Sequence, residues 1–163
     1  MRSFSNLWYW IALAVLWSSA AHWVLGVPYD MVLRARRKGG QAARDFEDLA
    51  RINVNRLTYI GQVAGAWLIA SVSFVLTLLG VLAFYYWIEI AQAIFLLAFP
   101  MAFVGMLSFA AAFSIHKNGI SGEALQKRLM HLRFLVQSIG MASIFVTALF
   151  GMYQNLSIGA LGQ

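Results

Sequence analysis

The chain has 163 residues, 61% of them apolar and only 11% charged, against roughly 25% charged in an average soluble domain. Water could not solvate such a surface, and a soluble core of this length could not hide four separate apolar runs, so an ordinary water-soluble globule is excluded. A net charge of +6 would suggest nucleic acid, but most basic residues flank apolar runs, where anionic lipid headgroups are the nearer partner, and nucleic acid is excluded on that ground.

No charge occurs between Ser3 and Tyr29, a stretch that as a helix is about 40 Å long and exceeds the roughly 30 Å of a bilayer's hydrocarbon. It lacks a basic signal-type leader and a small-residue cleavage site, so the spacing predicts a retained first span over about 4–26. Gly26 and Pro28 end it, since proline cannot continue the backbone ladder. Its tryptophans predict an interface belt, with Trp8 and Trp10 at one end and Trp23 at the other, while mid-span Trp17 is expected to face a helix or a lipid- or pigment-like partner.

The basic cluster Arg34, Arg36, Arg37 and Lys38 follows, then Gly39 and Gly40 as a flexible joint. From Gln41 to Arg56, apolar residues recur at helical spacing and two i,i+4 pairs, Arg44 with Asp48 and Glu47 with Arg51, predict an amphipathic surface helix. No breaker separates it from the next apolar run, so it is expected to continue into the second span or bend near Asn53 and Asn55. Gly61 and Gly65 open that span as a G-x-x-x-G pair suited to close helix packing.

Between Leu57 and His116 the one charged residue is Glu89. Two spans, about 57–85 and 88–115, fit with a turn in the aromatic group Phe84, Tyr85, Tyr86 and Trp87, whose rings favour the headgroup level. Glu89 then reads as an interfacial acid, and Pro100 is expected to kink the third span. A second basic loop, 116–133, carries a short helix beginning at Ser121, and a fourth span runs over about 134–155 before an uncharged tail.

The prediction is therefore an all-α, single-domain integral membrane protein: a bundle of four transmembrane helices with an amphipathic cytoplasmic helix in its first loop. The first loop, 27–56, holds seven basic residues and the third holds four, against Arg2 alone at the N-terminus. The positive-inside rule then places both loops in the cytoplasm of a bacterial inner membrane and both termini in the periplasm.

Chemistry-bearing residues are sparse. Without cysteine there is no disulfide, thiolate metal site or iron–sulfur ligation. His22, His116 and His131 share one depth near the basic end and are the candidate haem ligands, although that depth is also where a polar residue costs least. No span carries a charge near its centre, which argues against an ion pump, a charged-substrate carrier or a voltage sensor. No catalytic residues and no metal ligands are expected, and phospholipid is the expected bound molecule.

The run MRSFSNLWYWIALAVLWSSAAHWVLGVPYDMVLRARRKGG with ARINVNRLTYIGQVAGAWL resembles a family of uncharacterised four-helix membrane proteins of alphaproteobacteria, often labelled a component of the SufBCD iron–sulfur assembly complex. The resemblance covers nearly the whole chain and implies, for a protein without cysteine, a membrane tether for soluble machinery. The architecture is also similar to the membrane-associated eicosanoid and glutathione metabolism proteins, whose second-helix motif is echoed by Ala50, Arg51, Asn53 and Tyr59. Arg56 stands where that family has glutamate, and the later helices lack its arginine and tyrosine ligands for glutathione.

These readings point to a non-enzymatic accessory or scaffold subunit of a larger membrane complex, respiratory or photosynthetic. Its partners would be membrane lipids, other membrane subunits and a soluble cytoplasmic protein at the basic loops. A glutathione-transferase-like enzyme is the alternative and a haem-binding electron carrier the third reading.

Overall fold

The computed structural model describes residues 6–161, with side chains as far as Leu156, and is all-α apart from one minute hairpin. Helix α1 (Leu7–His22) leads into two-residue strands β1 (Trp23–Val24) and β2 (Val27–Pro28), followed by α2 (Tyr29–Lys38), α3 (Gly40–Phe84), α4 (Glu89–Asn118) and α5 (Gly122–Leu161). Three of these helices, α3, α4 and α5, are long and apolar enough to cross a membrane. Over its 16 described residues α1 rises about 24 Å, short of a bilayer's hydrocarbon thickness.

The first apolar run does not stay helical to Gly26. It stops at His22, and the chain reverses through Leu25 and Gly26, whose φ values of 53° and 70° make the doubly left-handed turn that matches the twist of paired strands. Val24 and Val27 close the turn. Leucine is a poor residue for that conformation, and burial compensates it: Leu25 is 6% exposed within the surrounding apolar cluster. The hairpin is held from both flanks. Asn53 of α3 donates through Nδ2 to the Gly26 carbonyl at 3.1 Å, while Arg133 of α5 donates through Nε to Ala21 at 3.1 Å and lies 3.4 Å over the Tyr29 ring. A Cβ at Gly26 would meet the Asn53 amide at 3.1 Å as well as the unfavourable φ. Gly26→Ala is therefore expected to cost about 1–2 kcal/mol, read as a lowered melting temperature in mild detergent.

Beyond the Gly39–Gly40 joint, α3 runs 45 residues without a break at Asn53 or Asn55, about 68 Å. The surface helix and the second apolar run are thus one element. The first part of α3 buries Phe46, Ala50, Val54 and Thr58 at four-residue spacing and exposes Arg44, Asp48 and Arg51. This stripe packs with Val32 and Ala35 of α2, Ala111, Ala112 and Ile115 of α4, and Leu125, Leu129 and Leu132 of α5. The result is an apolar core at the basic end of the molecule. Neither expected i,i+4 pair, Arg44 with Asp48 or Glu47 with Arg51, forms among the described residues; Arg51 pairs with Asp48 at 2.8 Å, three residues away.

At the opposite end, α3 gives way to α4 through the expected aromatic turn. Phe84 is the last helical residue, Trp87 takes a left-handed φ of 52° and Glu89 is the first residue of α4, where its charge complements the helix dipole. Pro100 lies inside α4, which continues through it. Instead of a short helix followed by a span, α5 is one 40-residue helix from Gly122, with the Ser121 carbonyl accepting from the Leu125 amide just before it. It continues past Asn155 to Leu161, and the remainder of the expected tail, like Arg2, lies outside the described residues.

Candidate functional site

Two polar regions break the apolar bundle. Near the aromatic turn, Gln92 of α4 is 1% exposed. It donates to the Ala83 carbonyl of α3 at 2.8 Å and accepts from Gln154 of α5 at 2.9 Å. Beside it, the Tyr9 hydroxyl of α1 donates to the Ala93 carbonyl at 3.1 Å. The satisfied amides join three helices, the expected use of glutamine where water is scarce, and the Tyr9 hydroxyl adds the fourth. The sequence places Gln92 in a span but not at this junction.

The second region is a cleft of about 330 Å³ at the basic end, between α3 and the α4–α5 connection. Ala50, Val54, Ile115 and Leu125 supply its apolar lining, and Glu47, Asp48, Arg51, Asn55, His116 and Ser121 its polar one. His116 Nδ1 lies 3.2 Å from Asn55 Oδ1, linking α4 to α3. The connection is short because Gly119 takes a left-handed φ of 58° and Gly122 one of 60°, conformations that favour glycine.

The three histidines do not converge. His22 faces a small recess with Tyr29 and Arg133, His116 lines the cleft, and His131 is exposed on α5. Among the described residues no group of three His, Cys, Asp or Glu side chains is placed to hold a metal ion. The basic cluster on α2 faces outward: Arg34 pairs with Asp30, Arg36 reaches the Met130 sulfur at 3.5 Å, and Arg37 and Lys38 are exposed. The Arg34 guanidinium holds the Asp30 carboxyl below its ordinary range, and Lys127, 2.9 Å from Glu123, does the same there.

The tryptophans divide. Trp8 and Trp23 are 75% and 56% exposed, open to lipid or partner, and Trp10 is half-buried with its ring edge-on to Tyr9. Trp17 is not available to a lipid or partner: it is 5% exposed and packs on Gly140 of α5. Gly140, absent from the expected packing residues, gives the Trp17 ring its seat on α5, since a Cβ there would lie 2.8 Å from that ring.

The G-x-x-x-G pair also divides. A Cβ on Gly61 would meet the Phe113 ring of α4 at 2.7 Å, whereas one on Gly65 meets nothing within 4 Å. Gly61→Leu is expected to cost about 1–3 kcal/mol by forcing α3 and α4 apart, and Gly65→Leu to stay within about 0.5 kcal/mol for the isolated protein. Thermal melts of both variants in one detergent check this. Equal losses would mean that Gly65 also packs within the bundle.

Comparison with family models, curated proteins and solved structures finds no match.

Proposed function

We propose that this chain is a non-enzymatic accessory or scaffold subunit of a larger membrane complex, respiratory or photosynthetic, that packs on other subunits through its apolar and aromatic helix faces. One observation carries the proposal. All ten residues of α3 from Ala66 to Val75 are exposed around the full helix circumference, while its ends are tied to α4 by Gly61 and Ala83. That segment mixes large side chains, Trp67, Ile69 and Phe74, with Ala66, Ala70, Ser71 and Ser73. Because lipid tails are as apolar as leucine, helices in a bilayer associate by close packing at small residues. The middle of α3, with the open Gly65 at its edge, offers such a surface to another subunit's helix.

In this proposal α1 is a fourth span. Its support is the way Tyr9 and Trp17 lie along α4 and α5 at two different depths. The asymmetric arginine and lysine content puts α2 and the α4–α5 connection in the cytoplasm of a bacterial inner membrane, with both termini periplasmic. The first loop, with exposed Arg37 and Lys38 on α2 and Arg44 on the amphipathic part of α3, would meet anionic headgroups or a soluble partner, in keeping with the tether implied by the resemblance to the SufBCD-labelled family.

Extraction from native membranes in mild detergent, followed by native mass spectrometry, tests the proposal. Stoichiometric membrane subunits are expected, and Gly65→Leu should release them without unfolding the chain. A solitary protein that binds glutathione until Arg51→Ala, or shows a Soret band until His22→Ala, would replace it with one of the enzymatic or haem readings.

A further inference from the structure

The cleft between α3 and the α4–α5 connection lies where the long apolar runs meet charge: Arg56 immediately precedes the run of α3, and His116 immediately follows Ile115 of α4. In a bilayer that is headgroup depth. Its volume of about 330 Å³ falls at the lower end of small-molecule sites.

The charges are unequal. Arg51 is engaged by Asp48 at 2.8 Å, so Glu47, half-buried on the next position of the cleft wall, has no hydrogen bond or ion pair among the described residues. Its carboxylate lies at the start of α5, with one oxygen 3.7 Å from where a Gly122 Cβ would stand, so the partial positive charge of that helix end answers only part of its own. With one guanidinium against two carboxylates, the cleft is locally acidic on a chain of net charge +6.

We propose that this cleft binds a phosphoethanolamine group, the zwitterion of a primary ammonium and a phosphodiester. The ammonium hydrogen-bonds the Glu47 carboxylate. The phosphate takes the Arg51 N–H groups not held by Asp48. Ala50, Val54 and Leu125 receive the apolar part next to the phosphate. A purely anionic headgroup would leave Glu47 facing a like charge. A trimethylammonium cannot donate to Glu47, and no Trp, Tyr or Phe ring lines the cleft to hold it. The assignment is independent of the accessory-subunit reading, since it concerns a different face from the middle of α3.

The test reconstitutes the full chain in vesicles of equal parts phosphatidylethanolamine, phosphatidylglycerol and phosphatidylcholine. Lipids retained after mild detergent extraction are then counted by native mass spectrometry. Phosphatidylethanolamine should be enriched on the order of tenfold over its share, the ratio one charge-assisted hydrogen bond supplies. Glu47→Gln and Arg51→Gln should each return the ratio toward that of the vesicle, while Lys127→Gln, outside the cleft, should not. Displacement of the lipid by soluble phosphoethanolamine supports the same chemistry with a soluble source, and retention despite it supports the lipid. Retention in the vesicle ratio by the unmodified chain, or enrichment unchanged in both cleft variants, overturns the proposal.

Discussion

Replacing Phe46 by alanine is expected to destabilise the protein by about 3–5 kcal/mol, the largest effect of any single side chain considered. Phe46 is fully buried and lies eleven residues before Leu57, where the uncharged run of α3 begins, so at this level the alternative to burial is water, not lipid. The transfer free energy of the ring is then realised in full, and its loss adds a cavity term because Phe46 belongs to a buried cluster that α2, α4 and α5 also build, with Val32, Ala35 and Leu129 among its members. Large apolar residues on the outer face of α3 behave differently. Ile69 is 72% exposed, and an exposed side chain facing lipid exchanges one apolar environment for another when the protein unfolds within the membrane. Thermal or denaturant unfolding in mild detergent should show a large loss for Phe46→Ala and a change within about 0.5 kcal/mol for Ile69→Ala. Comparable losses at both positions would show that the basic end is not a water-excluded core.

Gly140→Ile is the second large effect, about 1–3 kcal/mol from overpacking. The first side-chain carbon would fall 2.8 Å from the Trp17 ring, and the ring, with Leu13, Val104 and Val136 in the same cluster, has little room to retreat. The cost should couple to Trp17 specifically. In a Trp17→Ala background the space left by the indole accommodates the isoleucine, so the double-mutant cycle should return a coupling of about 1 kcal/mol or more. A cost that persists unchanged in that background would mean that α1 does not dock on α5 through this pair.

What the sequence discloses here is what depends on solvent and local stereochemistry. The aromatic turn at Phe84–Trp87 and the Gly39–Gly40 joint follow from hydropathy and breaker residues and coincide with helix ends, whereas the uncharged runs mark the apolar stretches of α3 and α5 but not where those helices begin. What it conceals depends on partners distant in the chain. Gly26 and Pro28 read as a break, but the left-handed Leu25 is buried in the apolar cluster, and the turn is tied to Asn53 while Arg133 holds its flanks at Ala21 and Tyr29. Arg51 has acids three and four residues before it on the same helical face, and local spacing does not choose between them; Asp48 is taken and Glu47 is left to the cleft. Gly65 carries the motif and Gly140 carries the contact, because a glycine matters only where another helix approaches it. His22, His116 and His131 share a depth in the sequence, yet His22 lines a small recess, His116 lines the cleft and His131 lines neither.

In the proposed topology hydrocarbon surrounds the apolar helices and the basic end lies inside the cell. The chain has no cysteine, so single cysteines can be placed without background and probed with a membrane-impermeant maleimide in cells whose inner membrane is intact. Tyr86→Cys should label in intact cells, Arg37→Cys only after the inner membrane is opened, and Val72→Cys in neither state until detergent is added. Labelling of Val72→Cys in membranes without detergent, or of Arg37→Cys in intact cells, would contradict the account.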